Sequence, residues 1–270
     1  MVAKFFSVTH GLMRQTWDNR AITWEFARRT LHKKYKGTAL GMLWILALPM
    51  AYVLVFWFAI EIGLRMDRGD YPFVLWLIPG IFLWRTISEC LSQAGNSVRK
   101  NRGLVTKVSF PLIAIPQFSV LSLFVAHMGV MLLAFAIFIA AGYTPTIYWL
   151  QFFYYIPAAF IFCLIAATFL SALTAFSKDL VQFIRVMTQT LFWFSPILWP
   201  ASNLEGTLGV IMRLNPIAYL VEGYRACMLY NTWFWQDPGW ALYFWAFIMI
   251  SGVVTIYVWN RMSRNFADVM

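Results

Sequence analysis

Residues 112–141, "LIAIPQFSVLSLFVAHMGVMLLAFAIFIAA", form a run of 30 residues without one Asp, Glu, Lys or Arg. A helix needs about 20 apolar residues to cross a hydrocarbon layer about 30 Å thick, so this run is long enough to span. Comparable runs recur along the chain. With 61% hydrophobic, 19% aromatic and only 12% charged residues among 270, the sequence carries more apolar surface than one globular core could hide. Lipid is therefore its main solvent. Period-two alternation is absent, which predicts an all-α integral membrane fold rather than a barrel.

Six transmembrane helices are predicted, at about 39–62, 72–94, 112–141, 147–177, 180–199 and 239–260. An even count places both termini on one side. Lys and Arg near span ends are retained in the cytoplasm. Fifteen lie on the side of the termini, from Lys4 to Lys36, from Arg99 to Lys107, and at Lys178, Arg261 and Arg264. Four lie opposite: Arg65, Arg68, Arg213 and Arg225. The chain therefore reads as a multi-pass protein of the cytoplasmic (inner) membrane with both termini cytoplasmic. The net charge of +10 fits orientation and anionic headgroups, not nucleic-acid binding. Cys90, Cys163 and Cys227 have no metal or disulfide spacing and read as packing residues. No removable signal peptide and no soluble domain are read. The organisation expected is a cytoplasmic segment, 1–38, followed by a transmembrane domain, 39–270.

In the amino-terminal segment, helical spacing aligns Met13, Trp17, Ala21, Trp24 and Leu31, with Arg28 interrupting the stripe and Arg29 beside it. Two readings stay open here: an amphipathic helix lying in the membrane interface, and a basic juxtamembrane anchor. Span two contains "LWRTISECL", which puts Arg85 and Glu89 at i and i+4, where opposite charges meet. Charges inside spans face a bundle interior, a cavity or a partner, so a structural ion pair and a transport role are both open. His127 is alone in its span and reads as a hydrogen-bonded packing residue rather than a metal site or proton relay. Between spans two and three, "GNSVRKNRGLVTKVSFP" offers Asn96 or Ser97 as the cap of a short helix, with Leu104 and Val105 beside Arg99, Lys100 and Arg102. A plain positive-inside loop fits the same composition.

Beyond Phe192 the pattern changes. Pro196 and Pro200 stop span five. Two pieces follow within 200–231, about 203–213 behind an Asn203 cap and about 216–230 with Pro216 behind Asn215, and each is too short to span. Backbone at membrane depth must be paired, so a re-entrant helix pair inside a protein-lined space is expected. Glu222 and Arg225 are expected on one helix face at the outer mouth, among Trp193, Trp199, Tyr219, Tyr224, Trp233 and Trp235. Aromatic faces suit sugar rings and Arg suits phosphate. An interfacial belt explains Trp233 and Trp235 better. No nucleophile elbow, paired metal ligands or GxxxxGK[ST] loop occurs, so no catalytic, cofactor or metal residues are assigned in this chain.

"YKGTALGMLWILALPM" and "NRGLVTKVSFPLIAIP" resemble the first span and the loop into span three of ABC-2 type export permeases. "SPILWP", "LNPIAYLVEGYR" and the tail "NFADVM" are most similar to the permeases of wall teichoic acid exporters. The resemblance implies a homodimer of six-span subunits docked on two cytoplasmic ABC ATPase subunits, which bind the ATP and Mg. The pair would enclose a path for a lipid-linked anionic polysaccharide. It further implies a coupling helix around Asn96 to Lys107, with Asn96, Arg99, Lys100, Arg102 and Leu104 facing the ATPase. The segment around Arg14 to Lys36, with Trp17, Trp24, Arg28 and Arg29, would be an interface helix against lipid. Arg85, Glu89, Trp193, Trp199, Tyr219, Glu222, Tyr224 and Arg225 become candidates for the substrate path. Exporters of O-antigen or capsule share this outline. A membrane-embedded glycan transferase using His127 or Glu222, and a channel whose pore mouth is the re-entrant pair, are the rival classes.

Overall fold

Hydrocarbon offers no partner to a peptide group, so each crossing segment must close its hydrogen bonds internally. The computed structural model follows that rule: among the described residues, 18–64, 71–106, 110–200 and 206–266, there are helices and turns but no strand. Met13, Trp17 and Asn203 lie outside them. The helices are α1 (Arg20–Tyr35), α2 (Trp44–Trp57), α3 (Phe73–Ser92), the short α4 (Ser97–Lys100) and α5 (Arg102–Val105), and α6 (Ala114–Ala140). They continue as α7 (Phe152–Thr174), α8 (Lys178–Trp193), α9 (Gly206–Arg213), α10 (Pro216–Arg225) and α11 (Pro238–Met262).

Five stretches are long and apolar enough to cross a membrane: Gly41–Gly63, Phe73–Lys100, Ala114–Ala140, Ile147–Thr174 and Pro238–Asn265. They coincide with five of the six expected spans. The remaining one, expected over 180–199, contains α8, whose 16 residues reach about 24 Å at about 1.5 Å per residue. Ser177 caps its start by accepting from the Asp179 amide at 3.2 Å, and Pro196 lies just past its end. By itself α8 is shorter than a full crossing.

α3 is apolar on every face up to Trp84 and is buried accordingly, packing against α2, α6, α7, α8 and α10. α2 and α11 lie at the periphery, with Val55, Phe58, Leu242 and Met249 among the large apolar side chains left uncovered. One end of the bundle gathers Ala27 of α1, Val98 and Val105 of the short helices, and Trp259 and Phe266 near the carboxyl end. The far end is closed by other contacts. Tyr71 donates its hydroxyl to the Leu229 carbonyl at 3.0 Å, and Gln151 donates to the Thr232 carbonyl at 2.8 Å.

The face of α1 buried against the rest of the chain is Thr23, Ala27, Leu31 and Tyr35, a different face from the one through Ala21 and Trp24. Trp24 is 53% exposed, on the side of Arg28. Small side chains at Thr23 and Ala27 let α1 approach α6 closely, while Phe26 meets the Phe110 and Phe118 rings at 5.5 and 5.3 Å. Arg29 pairs with Glu25 at 2.7 Å in an exposed position, where such a bridge contributes little.

Candidate functional site

α2, α3 and α8 border a groove of about 390 Å³. Tyr52 and Phe56 come from α2, Trp84 and Arg85 from α3, and Arg185, Phe192 and Trp193 from α8. Arg85 is held by Glu89 at 2.7 Å and lies 5.6 Å from the Tyr52 ring centroid. Glu89 takes a second cation, Lys34 of α1, also at 2.7 Å. The expected Arg85–Glu89 pair is thus one half of a three-residue network that ties α1 to α3. Arg185 is exposed and has no ion pair among the described residues. It lies near enough to Lys100 for the two like charges to act on each other, as does Lys34. The result is a groove with aromatic walls and an excess of positive charge at the end nearer the termini. Sequence reasoning missed Arg185 and Lys34. Arg185 carried the same signal as Arg85, a charge inside an expected span; Lys34 carried none, since its partner is distant in sequence.

At the far end the governing problem is orphaned carbonyls. Pro196 prevents α8 from continuing, and carbonyls beyond a helix end must find donors in a water-poor setting. Arg225 supplies them: Nη1 donates to the Pro196 carbonyl at 2.6 Å and Nη2 to the Ile197 carbonyl at 2.9 Å. Its Nε donates to the Trp76 carbonyl at 3.3 Å in α3, and its guanidinium lies 3.4 Å from the Trp76 ring centroid. A Cβ at Gly80 would come within 2.9 Å of Nη2, so glycine makes this approach possible. Glu222 accepts from Nη1 at 2.9 Å and balances the charge. The expected sharing of a helix face by Glu222 and Arg225 holds. The expected position at an outer mouth is corrected, because Arg225 is fully buried and clamps α10 to α3 and to the turn after α8.

Asn215 caps α10 by accepting from the Ile217 amide at 2.9 Å, with Pro216 in the first turn. It also donates to Phe194 and Ser195 at 3.2 and 3.0 Å. Tyr219 and Tyr224 are buried rather than displayed at a surface. Tyr224 shares a 3.0 Å hydrogen bond with His127, whose other ring nitrogen bonds Thr86 at 2.9 Å. His127 is thereby the hydrogen-bonded packing residue the sequence suggested, joining α3, α6 and α10. Trp193 is exposed on α8, and Trp199 donates to the Trp193 carbonyl at 3.3 Å. Trp233 and Trp235 stack on each other at 4.3 Å.

Gly223 faces the ring of Tyr155, and an added Cβ would overlap three of its ring atoms. Tyr155 is itself buried against Tyr154 and Tyr219. Gly223→Ala is expected to destabilise the protein by about 1–3 kcal/mol, the usual cost of overpacking. A thermal unfolding series in detergent measures it; an unchanged midpoint would show that the α10–α7 contact yields.

Near the termini, Asn96 makes no cap bond with its side chain, correcting that expectation. Asn101 instead donates to the Ser97 carbonyl at 2.8 Å. Arg99 turns inward and donates to the Thr174 carbonyl at the end of α7, 3.3 Å away, while the Thr174 hydroxyl donates to the Gly95 carbonyl at 2.8 Å. Lys100 and Arg102 are exposed and Leu104 is half-buried, so those three remain available to a partner.

Among the described residues, five helices long and apolar enough to cross a membrane frame a charged groove with aromatic walls, the architecture of a multi-pass membrane protein. The chain belongs to the ABC-2 type transporter family, whose model matches residues 22–229. It is similar to the O-antigen export system permease protein RfbA of Klebsiella pneumoniae, 24% identical over 246 residues that cover 90% of this chain and 92% of the relative. It is also similar to the O-antigen export system permease protein RfbA of Myxococcus xanthus, 26% identical over 220 residues covering 80% and 83% of the two chains.

Proposed function

We propose that this chain is the permease subunit of an ATP-driven exporter that moves a lipid-linked polysaccharide of the O-antigen class across the cytoplasmic membrane. The observation that carries the reading is the groove holding Arg85 and Arg185 between aromatic walls: cations suit the phosphates of a lipid-linked headgroup, and flat rings suit the sugars that follow. The relatives' names favour O-antigen. The stretches "SPILWP" and "NFADVM" favour wall teichoic acid, which stands as the second reading. In this proposal the chain crosses six times, α8 and the turn after it completing the fifth crossing, and α9 and α10 form the re-entrant pair on the outer side. Both termini are cytoplasmic. Two copies pair so that their grooves face one path, and two ABC ATPases, carrying ATP and Mg, dock on α1 and on Lys100, Arg102 and Leu104. ATP binding shifts the permease only by contacting its two states differently. The network Lys34–Glu89–Arg85 gives α1 a direct hold on α3, and hence on the groove.

Affinity purification from native membranes tests it. The chain is expected to retain a Walker-motif ATPase and to change its hydrolysis rate, and its deletion is expected to leave the polysaccharide inside the cell. A chain that turns over lipid-linked glycan unaided, or passes ion currents alone, would overturn the proposal. Whether the stranded polymer is O-antigen or teichoic acid decides between the two substrates.

A further inference from the structure

A second cavity, of about 570 Å³, lies at the far end between α7, α9, α10 and the start of α11, and no residue lines both it and the groove. Its size falls in the range of about 300–1,000 Å³ usual for small-ligand sites. Its lining combines aromatic surface, from Tyr219, Trp233 and Trp240, with polar groups. Glu222 is fixed there through Oε1, which accepts from the buried Arg225, while Oε2 has no hydrogen bond among the described residues. The Tyr230 hydroxyl accepts from Trp76 Nε1 at 2.7 Å, which leaves its own proton to donate elsewhere. Arg213 and Asp237 are paired at 3.3 Å and Glu222 is paired with Arg225 behind the lining, so both carboxylates of the cavity are balanced.

We infer that this cavity binds a neutral saccharide segment on the side opposite the termini. The inference rests on the export reading for the source of the sugar. A balanced site gains little from a net charge and would leave a polyanion unpaired. A fixed carboxylate oxygen and a phenol proton match vicinal hydroxyls, which both donate and accept, and indole or phenol rings match the apolar faces of a pyranose. None of Arg225, Trp76 and Pro196 lines either space and the two share no described lining residue, so occupancy here is an event separate from passage along α8. A saccharide held on the far side would resist sliding back.

Photocrosslinking in native cells tests the inference with the cell's own polymer as probe. p-Benzoylphenylalanine is placed at Gln236, in the cavity, and in a second strain at Trp193, in the groove. Both positions are expected to give glycan adducts that vanish when polymer synthesis is blocked. Glu222→Gln is expected to cut the Gln236 adduct roughly tenfold, the scale of one lost hydrogen bond to a charged group. Thr232→Trp, an exposed lining position away from Arg225, is expected to abolish it by filling the space. Adduct at Trp193 but none at Gln236 sinks the cavity site and leaves the export reading standing. Adduct at neither sinks the export reading itself. A phospholipid adduct at Gln236, or one indifferent to polymer synthesis, overturns the inference in favour of a lipid headgroup.

Discussion

Arg225→Met is expected to destabilise the protein by at least about 3–5 kcal/mol, the range for removing one partner of a buried ion pair. The chemistry explains the size. Methionine fills much of the volume but donates nothing, so the carbonyls of Pro196 and Ile197 lose their donor and Glu222 loses its counter-charge. Arg225→Lys keeps the charge but not the planar fork or the stack on Trp76, and belongs between the two. Adding Glu222→Gln to Arg225→Met should recover only the part due to the abandoned carboxylate. Unfolding in detergent, followed by Trp fluorescence, measures the series. A Met variant as stable as the parent would mean that water or another donor reaches those carbonyls, and the clamp would not hold the far end.

Arg185→Glu is expected to act on transport with little effect on folding. Arg185 is exposed and has no ion pair to lose, whereas Arg85 is engaged with Glu89. Clefts lined by one sign of charge raise the capture rate of an opposite charge by about 10–10³-fold, less at high salt. Export is therefore expected to fall about tenfold on reversal of Arg185, further when Arg85→Gln is added, and to be largely kept in Arg185→Lys. Polysaccharide at the cell surface, normalised to permease in the membrane, provides the readout. Full export by the Glu variant at normal abundance would remove the groove from the substrate path. The contrast with Arg225 is useful: one arginine should fail in stability and the other in transport.

The two arginines also show how unevenly the sequence discloses a site. Span positions, the Arg85–Glu89 contact, the Asn215 cap followed by Pro216 and the packing role of His127 were all legible. Each depends on hydrophobic runs or on residues a few positions apart on one helix, where geometry is fixed by the 3.6-residue repeat. The face that α1 turns to α6 was not legible, because Thr23 and Ala27 pack there by being small and carry no hydrophobic signal of their own. Arg185 was missed although it sat in plain view inside an expected span. Its importance lies in facing Arg85 across a groove, and no local pattern states which helices are neighbours.

The sequence by itself determined that this chain lives in lipid as helices, and that the stretch after Pro196 is broken into helices too short to cross, Gly206–Arg213 and Pro216–Arg225. Those follow from the cost of unpaired backbone and charge in hydrocarbon, which any local segment must meet. Only the tertiary structure decided that Lys34 reaches Glu89, that Arg225 lies inside and not at a mouth, and that groove and cavity are separate spaces. The physical reason is that a broken helix leaves carbonyls wanting donors, and which donor arrives depends on where a distant part of the chain returns.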